Sequence, residues 1–151
     1  YGGPKSEIEK YRHANTLSRI YFHEYVDNMF IPKILKECDI VLMPYQDDTQ
    51  TSGGRVSTDY MSPMKMFEYM ASGSIIVASK IPVLSEVLNE NNACLVDDYN
   101  NPNSWSIMIQ DVIHNPIISE KKARYAYHDS KKYSWDSRTY SILSKYNMDG
   151  N

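Results

Sequence analysis

The chain has 151 residues, of which 42% are hydrophobic and 23% are charged, and its formal net charge is −3. This composition is typical of a folded domain rather than a disordered segment, and one domain with its own core accounts for the length. The acidic balance argues against nucleic acid as the main partner, because neutralising phosphates requires a basic surface.

Short apolar runs alternate with helical patterns along the chain, as in a parallel sheet that is covered on both faces. Four such runs predict strands: RIYFHEYV (19–26), DIVLMPY (39–45), SIIVAS (74–79) and ACLVD (93–97). Between the first two runs, the apolar spacing of NMFIPKILKEC predicts a helix. Residues 46–59 are polar, contain glycine and have no period, so they predict a long loop.

The second half of the chain is predicted to be mainly helical. Helices are indicated over 62–73, over a short stretch that carries Val83, Leu84, Val87 and Leu88 and ends before an asparagine turn, and over 101–116. Two further helices within 119–148 separate near Ser134, a residue suited to cap the second one. Four strands and about seven helices in this alternation predict an α/β fold with a Rossmann-like, doubly wound parallel sheet.

Cysteine usage and hydropathy indicate the cellular compartment of the protein. Cys38 and Cys94 lie in apolar runs without CxxC spacing, which indicates buried side chains in a reducing environment and no disulfide framework. No apolar run reaches the roughly 20 residues of a membrane span, and the first residues do not resemble a secretory signal. We therefore expect a cytoplasmic protein. The opening YGGPKS is typical of a turn after a strand, and it predicts that the chain is the back part of a longer protein.

The helix predicted over 62–73 has an apolar face and a polar face. Ser62 is a favourable N-cap, Pro63 suits the first helical position, and Gly73 is expected to end the helix. Helical spacing places on one face Pro63, Met66, Phe67, Met70 and Ala71, and on the other Lys65, Glu68 and Ser72.

Lys65 is an unusual residue for a first helical turn. At the expected third position the helix dipole disfavours a cation by about 0.3–1 kcal/mol, unless an anion binds there. Free N–H groups of a first turn beside a positive charge form a phosphate site, and Glu68, one turn further, could accept hydrogen bonds from the vicinal hydroxyls of a ribose. The alternative is a Lys65–Glu68 ion pair on a solvated face, worth about 0.2–0.5 kcal/mol.

Three segments together resemble the GT-B glycosyltransferases of family 4: SPMKMFEYMASGSIIVASKIPVLSEVL, RIYFHEYVDNMFIPKILKECDIVLMPY and the closing YSWDSRTYSIL. The resemblance covers about residues 1–146. It implies that residues 1–151 form a single donor-binding domain, the C-terminal half of a GT-B fold, with the start of this domain and the N-terminal acceptor domain absent from the chain.

The resemblance also implies an activity. A retaining hexosyltransferase would take a sugar from a nucleotide-sugar, a UDP-sugar in preference to a GDP-sugar, without an obligatory metal or other cofactor. The acceptor would be a hydroxyl of a bacterial surface glycan or glycolipid, such as lipopolysaccharide or capsule, presented by the absent domain. The full-length enzyme would bind no nucleic acid and would work in the cytoplasm, with peripheral association at the inner face of the membrane.

Site residues follow from the same resemblance. Glu68 would bind the ribose hydroxyls, and the backbone amides of Met64 and Lys65, at the helix start formed by Ser62 and Pro63, would hold the distal phosphate. Lys65 would also stabilise the leaving group. No complete catalytic site is expected in this chain.

Two further expectations concern the base and the sugar. The nucleobase would lie against the turn at Tyr25 and Val26. The first of two glutamates usual in the family would fall on Tyr60, which is a departure; either Asp59 or a backbone group substitutes for it, or the sugar is held differently. We expect Tyr60, at the end of the 46–59 loop, to bear on sugar specificity.

Two alternative functions are also compatible with the sequence. A GT-B nucleotide-sugar epimerase would have the same fold, and a non-catalytic nucleotide-binding or assembly module would need only the binding site. The four histidines have no metal-ligand spacing with one another or with the cysteines, so no metal site is predicted: His13, His23, His114 and His128.

Overall fold

A computed structural model describes residues 3–16, 19–46 and 63–148, with side chains described as far as residue 144. The chain divides into two units, Tyr1–Ile34 and Leu35–Asn151. Apart from Gln46, the predicted 46–59 loop lies outside the described residues, as do Tyr60 and Ser62.

The first unit contains helix α1 (Lys5–Ala14), a 3-10 turn (Asn28–Phe30) and the start of α2 (Ile31–Lys36). The strand predicted over 19–26 is wrong, because residues 20–27 have no regular secondary structure. Side chains of α1 and its C-cap satisfy backbone carbonyls of this segment: Arg12 Nη2 donates to Phe22 O at 2.6 Å and Asn15 Nδ2 to Ile20 O at 3.3 Å. The segment is therefore held by side-chain donors instead of a strand ladder.

The second unit is built on a parallel sheet of three strands in the order β1 (Ile40–Met43), β2 (Ile75–Ser79), β3 (Cys94–Val96). Three of the four predicted strands are thus confirmed. Ile40 pairs with Ile75, and Val77 pairs with Cys94. The last four residues of β2 are all buried, so both faces of the central strand are covered, as in other parallel sheets.

The remaining helices of this unit are α3 (Met64–Ser72), α4 (Pro82–Ser85), α5 (Pro102–His114), α6 (Pro116–Ser130) and α7 (Trp135–Met148). Val112 of α5 packs in one cluster with Val77, Cys94 and Val96 from the sheet. Helix α3 packs against α6, and the ring of Phe67 lies 5.0 Å from that of Tyr133 just beyond α6. The predicted α/β class is confirmed.

Most predicted helices occur, with adjusted ends. The Ser134 cap is confirmed, since the backbone N–H of Ser137 donates to its Oγ at 3.2 Å. Helix α4 ends at Ser85, before Val87 and Leu88, which the prediction had included in the helix. The predicted asparagine turn follows: Asn92 Oδ1 accepts from the N–H of Asn89, and Asn89 Oδ1 accepts from the N–H of Asn91.

The start of α3 differs from the prediction by one residue. Pro63 is the N-cap and not the first helical residue, with ψ 95°, and its carbonyl accepts from the N–H of Met66 at 2.9 Å. The proline ring fixes φ but leaves ψ free, so a proline suits either position. Lys65 is therefore the second helical residue. Gly73 ends the helix with φ 79°, as predicted, whereas Ala71 is exposed instead of packed.

Candidate functional site

The carboxyl edge of the sheet carries a cavity of about 370 Å³ between the end of β1 and the first turns of α3. After β1 the chain turns sharply at Pro44, where the N–H of Tyr45 donates to Met43 O at 3.0 Å. The cavity is lined by Leu42, Met43, Pro44, Tyr45, Gln46, Lys65 and Tyr69. Ligands of open α/β sheets bind at this edge, beyond the carboxyl ends of the strands.

Helix α3 contributes two residues to the cavity, and both have a polar side-chain group. Lys65 and Tyr69 are four positions apart, so they lie on the same helix face one turn from each other. Lys65 is in the first turn, where backbone N–H groups have no partner within the helix. Its ammonium group and these N–H groups make the mouth of the cavity attractive to an anion.

Tyr69 is half-buried in the wall of the cavity. Burial raises the pKa of its phenol above the ordinary value of 10.0, and the neighbouring Tyr45, Cys38 and Glu68 raise it further. The phenol therefore keeps its proton at neutral pH, and it can donate a hydrogen bond to a ligand oxygen beside the Lys65 ammonium.

Glu68 is exposed on the polar face of α3 and does not line the cavity. The ion pairs found among the described residues are Lys80–Asp97 at 2.7 Å and Lys132–Asp129 at 2.6 Å. The Lys65–Glu68 ion pair considered as an alternative is therefore not formed within this part of the chain. Both side chains point to solvent, and both remain available to a ligand.

The other predicted site residues have different surroundings. Pro63 is buried beneath the start of α3, and Met64, the first residue of this helix, is 57% exposed. Tyr25 is 75% exposed and Val26 half-buried, and both belong to the first unit, Tyr1–Ile34. Of the predicted site residues that the structure describes, only Lys65 lines the cavity.

Six cavity residues were missed by the sequence analysis: Leu42, Met43, Pro44, Tyr45, Gln46 and Tyr69. A signal for each was present. Residues 42–46 are in or directly after a predicted strand of a parallel sheet, the place where such sheets bind ligands. Tyr69 follows Lys65 by four residues, which puts it on the same face of the helix.

A larger cavity, of about 580 Å³, lies at the opposite, amino edge of the sheet. The first residues of β1 and β2, Ile40 and Ile75, line it together with residues of α5 and α6. Its charged side chains are Asp39, Glu120 and Arg124, two acids and one base. Two acids and one base complement a phosphate less well than Lys65 does, and ligands of open α/β sheets bind at the carboxyl edge, so the carboxyl-edge cavity is the better candidate for nucleotide binding.

Within residues 3–16, 19–46 and 63–148, no three or more His, Cys, Asp and Glu side chains are grouped as metal ligands would be. No helix there has the length and apolar character required to cross a membrane.

A parallel three-stranded sheet packed with helices, with a cavity at its carboxyl edge, defines a Rossmann-like α/β domain. Residues 1–115 match the family model of the glycosyl transferases group 1, and the chain therefore belongs to this family. Comparison with curated protein sequences gives no match.

Two solved structures share the fold at low sequence identity. Sucrose-phosphate synthase from Thermosynechococcus elongatus is 15% identical with a TM-score of 0.68, over 95% of this chain and 33% of that one. Anabaena Alr3699/HepE, solved in complex with UDP-glucose, is 17% identical with a TM-score of 0.68, over 95% of this chain and 38% of that one. The predicted GT-B relationship is confirmed, and the chain spans about a third of the length of these structures.

Proposed function

We propose that the chain is the donor-binding domain of a retaining glycosyltransferase that uses a UDP-sugar. The observation that carries the proposal is the cavity at the carboxyl edge, which has Lys65 in the first turn of α3 at its mouth. Membership of the glycosyl transferases group 1 supports sugar transfer. The UDP-glucose bound to the Anabaena protein supports a uridine nucleotide as the donor class.

In the proposed reaction the bond between the anomeric carbon and the diphosphate oxygen breaks, and a bond to an acceptor hydroxyl oxygen forms. The hydroxyl proton is released, and negative charge develops on the departing UDP. Lys65 and the free N–H groups of the first turn of α3 would stabilise this charge, which is the main electrostatic demand of the step. Glu68 would bind the ribose hydroxyls from the adjacent, exposed position on the same helix.

The acceptor belongs to the same proposal. We infer a hydroxyl of a bacterial surface glycan or glycolipid, as in lipopolysaccharide or capsule synthesis, presented by a separate acceptor domain of the full-length enzyme. Such an enzyme would work in the cytoplasm, peripherally at the inner face of the membrane. We also expect transfer without an obligatory metal, which activity measured with and without EDTA would test.

Replacement of Lys65 tests the phosphate contact. In the full-length protein, Lys65→Ala should weaken UDP binding by about tenfold or more, since a charge-assisted hydrogen bond to phosphate is lost. Binding of uridine, which lacks phosphate, should change little. Calorimetry with both ligands makes the comparison, and Lys36→Ala, an exposed lysine outside the cavity, is the matched control. Equal losses for uridine and UDP would contradict the assignment.

Replacement of Glu68 tests the ribose contact. The wild type should prefer UDP to 2′-deoxy-UDP by about tenfold, the worth of one hydrogen bond to a charged acceptor. In Glu68→Ala this preference should disappear, because the acceptor of the 2′-hydroxyl is gone. Glu90→Ala, an exposed glutamate away from α3, should keep it. If Glu68→Ala still discriminates, Glu68 does not bind the ribose.

Product analysis with labelled UDP-glucose separates the proposal from its rivals. Label in a glycan or lipid product supports transfer, whereas an epimerised nucleotide-sugar with no transfer would indicate the epimerase. If the full-length protein binds none of UDP, GDP and ADP, the donor-binding assignment is wrong.

A further inference from the structure

Ser79, the last residue of β2, is completely buried and has an unusual hydrogen-bond partner. Its Oγ donates to the backbone carbonyl of Tyr45 at 2.6 Å, with Met43 O further away at 3.4 Å. Strand pairing between β1 and β2 ends at Met43 and Ala78, so this bond lies beyond the ladder. The side chain of Ser79 in β2 therefore holds the segment that follows the neighbouring strand, β1.

That segment forms one wall of the candidate site. Pro44, Tyr45 and Gln46 all line the carboxyl-edge cavity, opposite Lys65 and Tyr69 of α3. The segment has no strand pairing of its own, and both the turn at Pro44 and the hydroxyl of Ser79 hold it. A buried hydroxyl is costly unless it is hydrogen-bonded, so the bond both satisfies Ser79 and fixes the wall.

We propose that Ser79 is a positioning residue for the donor nucleotide: through the carbonyl of Tyr45 it holds the Pro44–Gln46 wall in the shape that the nucleotide binds. The inference rests on the proposed function, because it names a determinant of affinity at that same site. A wall that is already ordered needs no further ordering when the ligand arrives, and affinity falls when this preorganisation is removed.

The chain offers a matched control in Ser74, directly before the other end of β2. Ser74 is also buried, and its Oγ donates to the backbone carbonyl of Leu35 at 3.0 Å. Ser74→Ala and Ser79→Ala therefore each remove a buried hydroxyl and its bond to a backbone carbonyl, and Ser74→Ala also removes the acceptor of a 2.9 Å bond from Ser72 Oγ. Of the two serines, only Ser79 bonds directly to a residue of the carboxyl-edge cavity.

The experiment is calorimetric titration of UDP into the full-length wild type and the two variants, with the thermal midpoint measured for each. We expect both variants to lose similar thermal stability, while Ser79→Ala weakens UDP binding by about five- to tenfold and Ser74→Ala changes it by less than about twofold. Unchanged affinity in Ser79→Ala, or an equal loss in Ser74→Ala, would overturn the inference.

Hydrogen exchange of the unliganded proteins provides a second, ligand-free measurement. The amides of Tyr45 and Gln46 should exchange faster in Ser79→Ala than in the wild type, and at the wild-type rate in Ser74→Ala. If these amides exchange equally in all three proteins, the positioning role is wrong even if UDP binds. If the exchange differs as expected but the wild type binds no UDP, the proposed function fails while the anchoring of this wall is upheld.

Discussion

Tyr69 is the cavity side chain whose ionisation the fold alters. Its phenol is half-buried, and the fold raises its pKa mainly by desolvation, with a further contribution from Tyr45. A raised pKa means that the folded state binds the phenolic proton more tightly than the unfolded chain does. The resulting stabilisation is fully present below pH 10 and is lost as the pH rises through the folded-state pKa.

Replacement of Tyr69 by phenylalanine should therefore change how stability depends on alkaline pH. Between pH 9 and 11 the unfolding free energy of the wild type should fall more steeply than that of Tyr69→Phe, which has no phenol to ionise at this position. Urea unfolding at several pH values measures both slopes, and all other titrating groups are common to the two proteins. If the unfolding free energies of the two proteins depend on pH in the same way, the phenol of Tyr69 is not desolvated.

Of the two helix residues in the cavity, the sequence analysis proposed Lys65 and missed Tyr69. Lys65 was proposed because a cation in a first helical turn is unfavourable unless it has an anionic ligand, which can be deduced from its position in the helix alone. Tyr69 was missed although its spacing from Lys65 places it on the same face, since a tyrosine is equally compatible with packing. Its role depends on the Pro44–Gln46 segment of another element, which helix periodicity does not encode.

Among the elements, α3 has the best-defined end. Gly73 is the C-cap with φ 79°, a left-handed conformation that residues with a Cβ adopt at a cost. A Cβ built on Gly73 meets no atom within 4 Å, so steric contact adds nothing to that cost. Backbone strain alone should decide the effect of a substitution.

Gly73→Ala should accordingly lower the unfolding free energy by about 1 kcal/mol. Gly73→Asn should lower it by less, because asparagine tolerates the left-handed region better than alanine does. Urea unfolding of the two variants and the wild type gives the order. A larger loss in Gly73→Asn than in Gly73→Ala would indicate that side-chain contacts, and not φ, control this position.

The elements also show where sequence patterns reach their limit. Strands β1, β2 and β3 were predicted because their apolar runs match the burial of a covered parallel sheet. The run at 19–26 is also rich in apolar and aromatic residues, but its carbonyls accept from Arg12 and Asn15 and its Tyr21 and Tyr25 rings are exposed. A strand requires a neighbouring strand, and a single sequence gives no information on which segment supplies it.

On the scale of the whole second unit, a polar network joins distant parts of the chain. The side chain of Asn92, just before β3, is 1% exposed and donates to Val87 O and to Asp129 Oδ2 at the end of α6, each at 3.1 Å. Asp129 also accepts from Lys132 Nζ at 2.6 Å. The Asn92–Asp129 bond connects residues 37 positions apart, and sequence spacing gave no indication of it.

The network predicts a specific response to acid. The hydrogen bond from Lys132, followed by that from Asn92, lowers the pKa of the Asp129 carboxyl below its ordinary value of 3.8. A lowered pKa contributes stability that is complete above pH 3.8 and is lost as the pH falls through the folded-state pKa. The free energy of unfolding should therefore contain a component from Asp129 that disappears in acid.

Asp129→Asn removes this component while keeping the shape and an oxygen that accepts from Asn92. At pH 6 the variant should be less stable than the wild type by about 1 kcal/mol, since a neutral acceptor replaces a charged one. The difference should shrink as the pH is lowered from 4 towards 2, because the wild-type carboxyl then becomes protonated. Denaturant unfolding of both proteins across this range makes the comparison. If the difference in unfolding free energy between the two proteins stays constant with pH, the loss comes from packing and not from the charge of Asp129. The network would then stabilise the position of α6 through packing alone.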